Sequence, residues 1–117
     1  MKNVIKEKSF QFALRVVKLS KILETRREYV LGKQLLRFGT AIGALVREGE
    51  HAESKTDFIH KMSIALKEAN ETDYWIELLF GSEIIVSKEY NSINADIVEI
   101  IKLLTSIIKT SKRSIDG

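Results

Sequence analysis

The chain has 117 residues without proline or cysteine and carries a formal net charge of +3, with an isoelectric point near 9.2. This length suffices for one domain with its own core, and the absence of cysteine excludes disulfide bonds. The absence of proline favours long helices over a turn-rich β fold. The N-terminal MKNVIKEKSF lacks an apolar run, and no segment has the ~20 apolar residues of a membrane span. We therefore expect a cytoplasmic protein without a membrane partner, whose mild basic excess permits an anionic one.

A first helix is predicted over residues 8–23, with Ser9 as its N-cap. Its apolar residues recur at the spacings of one buried helix face: Phe12, Val16, Leu19 and Leu23. Its exposed side carries a row of cations, Arg15, Lys18 and Lys21. The segment ETRRE, residues 24–28, breaks the pattern and adds Arg26 and Arg27. Such a short loop makes the next helix antiparallel.

A second helix is predicted over residues 29–49. Its apolar stripe is Leu31, Leu35, Phe38, Ile42 and Leu45. Gly32, Gly39 and Gly43 interrupt this stripe, although an interior glycine costs about 1 kcal/mol relative to alanine. The glycines therefore predict that a neighbouring segment packs very close to the helix. A phosphate-binding loop is a poor alternative because no strand precedes the segment.

The longest helical pattern runs over residues 54–80, where Ser54 and Asp57 predict a capping box. Its main stripe is Phe58, Met62, Ala65, Ala69, Thr72, Ile76 and Leu79. A second stripe beside it contains Glu68 and Glu71, and buried carboxylates need cationic or hydrogen-bonding partners. Arg37 of the second helix is the candidate partner, which predicts a polar core formed by these three residues. The alternative of three solvated charges stays open, because spacing alone does not fix the rotation of the helix.

Two acidic residues and two histidines lie around the connection between helices two and three: Glu48, His51, Asp57 and His60. Their spacings resemble those of di-iron bundles. A di-iron site also needs inward-facing carboxylates from the other two helices, whereas these residues flank one loop at the end of the bundle. The sequence therefore predicts solvated histidines, no metal site and no cofactor.

A fourth helix is predicted over residues 88–111, after Gly81 ends the third in a left-handed conformation and Ser87 caps the fourth. Its stripe is Tyr90, Ile93, Ile97, Ile100, Ile101, Leu104, Ile107 and Ile108. Lys109, Lys112 and Arg113 close it, and the tail SKRSIDG is expected to fray. Four amphipathic helices with short connections predict an all-α, antiparallel up-down-up-down four-helix bundle that forms a single domain.

Two motifs resemble the bacterial four helix bundle proteins, also called 23S rRNA-intervening sequence proteins. They are the RFGTAIGA segment at residues 37–44 and the KEANETDYW segment at residues 67–75, and the similarity extends over nearly the whole chain. Phe38 and Ala41 stand where the family usually has small polar residues, and Leu45 stands where it often has asparagine. This chain therefore lacks the polar groups that the family usually has at these positions.

The resemblance implies a left-handed bundle assembled into a ring-shaped homopentamer, in a bacterial family whose biochemical function is unsettled. A related branch, the accessory proteins of diversity-generating retroelements, binds nucleic acid and a reverse transcriptase through a basic pentameric surface. The sequence contains no pairing of nucleophile and base, so it predicts a protein that is not an enzyme. Two functions stay open: an oligomer that binds RNA or DNA, and an adaptor oligomer that binds a protein partner. The nucleic-acid candidates are Arg15, Lys18, Lys21, Arg26, Arg27, Lys109, Lys112 and Arg113.

Overall fold

The structure, a computed structural model, describes residues 3–116, which form four helices and no strand. These helices are α1 (Val4–Thr25), α2 (Tyr29–Glu50), α3 (Lys55–Gly81) and α4 (Ser87–Asp116). They pack as a four-helix bundle about 50 Å long, which confirms the predicted fold class. The predicted main stripes of α1 and α3 are buried, apart from the half-buried Phe58.

Contacts between sequence neighbours show that the helices alternate in direction. Asn3 at the start of α1 donates a hydrogen bond to Glu50 at the end of α2. Gly32, near the start of α2, lies against Leu23 near the end of α1. At the other side of the bundle, Lys55 at the start of α3 reaches Ser114 near the end of α4, with an Nζ–Oγ distance of 2.8 Å. The topology is therefore the predicted up-down-up-down arrangement.

The close approach predicted from the glycines occurs between α1 and α2. A Cβ atom added at Gly39 would lie 2.8 Å from both methyl carbons of Val16, and one at Gly43 would lie 3.4 Å from the backbone oxygen of Ser9. The buried line of α2 consequently runs through glycine: Gly32, Leu35, Gly39, Ile42, Val46 and Gly49. Helix α2 is therefore rotated about its axis relative to the orientation that the predicted stripe required. This rotation leaves Leu31, Phe38 and Leu45 only half-buried.

Two of the predicted N-caps were wrong. Helix α1 begins at Val4, because the Asn3 side chain accepts a hydrogen bond from the Lys6 backbone N–H at 3.2 Å. Ser9 is buried inside the helix, where its hydroxyl donates to the Lys6 carbonyl. Ser87 is the first residue of α4, and the preceding Val86 N–H donates to the Glu89 carboxylate at 2.9 Å.

The start of α3 follows the prediction closely. The Ser54 hydroxyl accepts from the Asp57 backbone N–H at 3.0 Å, which confirms Ser54 as the N-cap. The Asp57 carboxylate accepts from the Glu53 N–H at 3.3 Å. The reciprocal bond of the capping box therefore reaches one residue further back than the cap itself.

Helices α1 and α3 both end in a Schellman motif, and neither motif uses glycine. Arg27 and Glu83 adopt left-handed conformations with φ of 61° and 63°. In each motif the residue after the left-handed one donates a backbone hydrogen bond of 2.9 Å across the last turn, from Glu28 to Leu23 and from Ile84 to Leu79. Gly81 was predicted for this role but is helical.

Helix α4 continues to Asp116, past the predicted end at residue 111 and through most of the tail that was expected to fray. Its last turns are supported laterally, because Ile108 is buried and Ser114 is hydrogen-bonded to Lys55 of α3. Residue 117 lies outside the described residues. The long α4 therefore flanks the bundle from the α3–α4 turn to the end where α3 begins.

Candidate functional site

Two of the predicted basic residues, Arg15 on α1 and Arg26 directly after it, are engaged within the bundle. Arg15 reaches across to α4, where its guanidinium pairs with Asp96 and donates to the Ser92 hydroxyl at 2.7 Å. Arg26 pairs with Glu89 at 3.0 Å and donates to the Ile84 carbonyl at 2.8 Å. The Arg26 hydrogen bond, with the backbone bond from Val86, lowers the pKa of the Glu89 carboxyl. These two arginines connect α1 with α4.

The other predicted cations at this end of the bundle are exposed, namely Lys18, Lys21 and Arg27. Carboxylates are interspersed with them, because Glu24 and Glu28 flank the α1–α2 turn. Arg27 also occupies the left-handed position of the Schellman motif. This end therefore presents mixed charge.

The C-terminal half of α4 has a more uniform charge. The predicted Lys109, Lys112 and Arg113 are exposed, and α4 carries no carboxylate between Ile100 and Ile115. Lys102 was not among the predicted residues, yet it is exposed and precedes Lys109 by seven residues and Arg113 by eleven. These spacings place Lys102, Lys109 and Arg113 along one face of the helix, over about 16 Å. We call these three residues the basic stripe, with Lys112 beside it.

The predicted polar core of Arg37, Glu68 and Glu71 is not buried. Arg37 is exposed and the two glutamates are half-buried, and none of the three belongs to an ion pair of the described residues. The Arg37 guanidinium carbon lies 5.2 Å from the centre of the Phe38 ring. The prediction failed because the glycine line of α2 faces the core, and that rotation turns position 37 outward.

Apolar side chains remain exposed on two adjacent sides of the bundle. Along the α1/α2 side these are Phe10, Leu14 and Leu36, and the Arg47 guanidinium lies over the Phe10 ring. Along the α2/α3 side Tyr74 is 54% exposed and Leu78 is 36% exposed. There they adjoin Trp75, whose ring stacks on Phe38 with the ring centres 6.4 Å apart. Both sides share α2, and we call them the α1/α2 face and the α2/α3 face.

Two buried polar atoms lack a hydrogen-bond partner among the described residues, the Asp73 Oδ1 and the Trp75 Nε1. Burial, together with the nearby Glu77, raises the pKa of the Asp73 carboxyl. Burial and the negative charge of Glu77 therefore both disfavour the charged form of Asp73.

The described residues hold no group of three or more His, Cys, Asp or Glu side chains placed to bind a metal ion. None of α1–α4, as far as the structure describes them, combines the length and apolarity needed to cross a membrane. Four surface features are available to contact a partner: the basic stripe, the two apolar faces, and a cleft between α1 and α4.

The chain was compared with family profiles, with curated proteins and with solved structures. The profile of the 23S rRNA-intervening sequence protein family matches residues 1–106. A crystal structure of a protein with unknown function from the S23 ribosomal protein family of Bacteroides thetaiotaomicron VPI-5482 is 56% identical. It superposes with a TM-score of 0.87, covering 90% of this chain and 98% of that chain. No curated protein matches the chain significantly. The chain therefore belongs to the 23S rRNA-intervening sequence protein family.

Proposed function

We propose that this protein is a non-enzymatic homopentamer of the bacterial cytoplasm that binds RNA or DNA through the basic stripe of α4. The observation that carries the proposal is the run of exposed cations Lys102, Lys109, Lys112 and Arg113 on a helix segment without carboxylates. Phosphate contacts supply affinity without reading sequence.

Assembly is supported by the two exposed apolar faces. Contiguous apolar surface on a soluble protein commonly marks an interface. The α1/α2 face and the α2/α3 face contain different residues, so contact between one face and the other is heterologous, which is the type of contact that forms rings when the rotation between subunits closes. The number five comes from the family resemblance, and the faces support a cyclic arrangement in general.

The arrangement of the faces also supports the location of the binding surface. Because both faces include α2, ring closure directs α2 toward the ring axis. Helix α4 lies opposite α2 in the bundle, so its basic stripe stays on the outer surface of the ring. Each subunit then offers the same stripe, and several simultaneous phosphate contacts raise affinity beyond that of one copy.

Binding is tested with labelled single- and double-stranded RNA and DNA from about 50 to about 200 mM salt. We expect affinity to fall steeply with salt for the wild-type oligomer. The triple variant Lys102→Gln, Lys109→Gln and Arg113→Gln should bind more weakly and reduce the salt slope by about 1 for each phosphate that is no longer neutralised. A matched variant, Lys18→Gln, Arg27→Gln and Lys88→Gln, removes the same charge from exposed positions outside the stripe and outside both apolar faces, and it should bind like the wild type.

Two results would reject nucleic-acid binding by this surface. One is the absence of binding at the lowest salt concentration. The other is equal loss of binding in both triple variants, because that outcome would reflect net charge and not the stripe.

Assembly is tested separately by introducing charge into one face. Leu78→Glu should dissociate the oligomer, because a carboxylate would be buried without a partner at the interface. Val86→Glu is the matched control, since Val86 is 62% exposed and lies on neither face. Equal oligomer mass in the two variants would exclude the α2/α3 face as an interface.

A further inference from the structure

A long cleft separates α1 from α4, the two neighbouring helices that pack least closely. Its first recess has a volume of about 430 Å³ and an apolar floor that includes Leu19, Ile22 and Ile93. Its second recess has a volume of about 300 Å³ and includes Phe12 and Ile100 in its floor. The Arg15–Asp96 ion pair crosses the cleft between the two recesses.

The two recesses carry opposite charge. The rim of the first contains Arg15, Lys18 and Lys88 against the single carboxylate of Glu89. The rim of the second contains Glu7, Asp96 and Glu99 against the single cation of Lys8. Lys18, Lys88 and Glu7 belong to no ion pair of the described residues, so their charges remain available to a partner. We call these the basic recess and the acidic recess.

Shape and charge together select the occupant. From the middle of one recess to the middle of the other is about eleven residues along α1, or ~16 Å, which a docked helix of four turns would span. Amphipathic helices bind in grooves by placing their apolar face on an apolar floor. Because the two rims carry opposite charges, the best-fitting helix has segregated charge, with acidic residues at one end and basic residues at the other.

We propose that the α1/α4 cleft docks an amphipathic helix of a partner protein that is acidic at its N-terminal end and basic at its C-terminal end. The acidic end lies over Lys18 and Lys88, and the basic end lies over Glu7. This polarity suits the macrodipole of the docked helix, which favours acidic residues at its N-terminus and basic residues at its C-terminus. The docked helix consequently runs antiparallel to α1 and parallel to α4.

Other occupants fit less well. A nucleic-acid strand would place phosphates over Glu7 and Glu99, where like charges repel. A second copy of this cleft would set one concave surface against another, which leaves the apolar floor of both uncovered. The proposal is independent of nucleic-acid binding, because the cleft uses α4 residues up to Ile100 whereas the basic stripe begins at Lys102.

The test uses labelled helical peptides of eighteen residues with one apolar face. The segregated peptide has an acidic N-terminal third and a basic C-terminal third. The interleaved peptide has the same composition with alternating charges, and a third peptide is basic at both ends. Binding to the full-length protein is followed by fluorescence anisotropy at low salt, and the mass of the complex is measured in parallel. We expect the segregated peptide to bind at least about tenfold more tightly than the interleaved one.

The variant Lys18→Glu with Lys88→Glu makes both recesses acidic. It should bind the segregated peptide at least about tenfold more weakly and gain affinity for the peptide that is basic at both ends. This gain keeps the test informative, because an unfolded variant would bind neither peptide. Arg27→Glu with Lys112→Glu is the matched control, which changes net charge equally at exposed positions outside the cleft and outside both apolar faces. It should retain the wild-type preference among the peptides.

Several results would overturn the proposal. Equal affinity for the segregated and interleaved peptides, or no binding of either, would refute the recognition of segregated charge by the cleft. The same change of preference in both double variants would reflect net charge alone. Dissociation of the oligomer by the segregated peptide would identify the cleft as a subunit interface. Loss of RNA or DNA binding in the Lys18 and Lys88 variant, without peptide binding by the wild type, would assign the cleft to nucleic acid.

Discussion

Replacing Gly39 with alanine tests the close packing of α1 against α2. The added Cβ would lie 2.8 Å from both Val16 methyl carbons, well inside the ~3.5–4.0 Å of a favourable carbon contact. Val16 is fully buried and β-branched, so it has little freedom to move away. Overpacking of this kind costs about 1–3 kcal/mol, while alanine gains about 1 kcal/mol of helix propensity. We expect Gly39→Ala to lower the free energy of unfolding by about 1 kcal/mol.

Gly81→Ala provides the control for propensity alone. Gly81 is helical, and an added Cβ would meet nothing within 4 Å. This change should stabilise the protein by about 0.5–1 kcal/mol. Val16→Ala removes the clashing methyl groups, so in that background Gly39→Ala should become stabilising.

Urea unfolding followed by circular dichroism measures the wild type, the three single variants and the double variant, at one fixed protein concentration because assembly contributes to stability. If Gly39→Ala stabilised the protein as much as Gly81→Ala, α1 and α2 would not be in close contact at this position. The rotation assigned to α2, and with it the exposure of Arg37, would then need revision.

Three further substitutions test local features of the fold. Glu83→Gly should stabilise the protein by about 1 kcal/mol, because glycine adopts the left-handed conformation at this helix end without the side-chain cost; no change in the urea midpoint would contradict it. Asp73→Asn should raise stability at neutral pH, since the raised pKa of Asp73 means that its ionised form is disfavoured on folding. This advantage should vanish as the pH falls below the ordinary pKa of aspartate, and a pH-independent difference would argue against carboxylate desolvation. Glu89→Ala removes the bond to the Val86 N–H and the pair with Arg26, and it should cost about 1 kcal/mol; unfolding data indistinguishable from the wild type would exclude this capping role.

The elements of the fold followed from the sequence because apolar spacing is a strong signal over four long helices. The positions of their ends were less predictable. Asn3 was overlooked as a cap because few apolar residues precede Ser9, although Ile5 proves to be buried. Gly81 was chosen as the left-handed residue because glycine usually occupies that position, whereas the chain uses Glu83 two residues later.

The rotation of α2 about its axis explains why the predicted polar core is not buried. Apolar spacing alone left the rotation of α2 open, and the close contacts of Gly39 with Val16 and of Gly43 with Ser9 fix it. The predicted partnership of Arg37 with Glu68 and Glu71 depended on the other rotation. The basic stripe illustrates the opposite case, since the spacing of Lys102, Lys109 and Arg113 was visible in the sequence and only Lys102 was overlooked.

The α1/α4 cleft was not predictable from the sequence. Pattern analysis assigns residues to a face of one helix, but it gives no distance between two helices. The opposite charges of the recesses arise from pairing residues of α1 with residues of α4 more than seventy positions later in the chain. The row of Arg15, Lys18 and Lys21 was recognised as basic, yet the structure separates Arg15, which is bound to Asp96, from the exposed Lys18 and Lys21.

The most direct test of the account is the mass of the protein in solution, measured by sedimentation equilibrium at micromolar concentration. Ring closure through the α1/α2 and α2/α3 faces, with the subunit number taken from the family resemblance, predicts one species with the mass of five 13.4 kDa chains. A mass equal to one chain at every concentration would contradict the account, and so would a stable dimer, since neither arrangement joins two different faces into a closed ring.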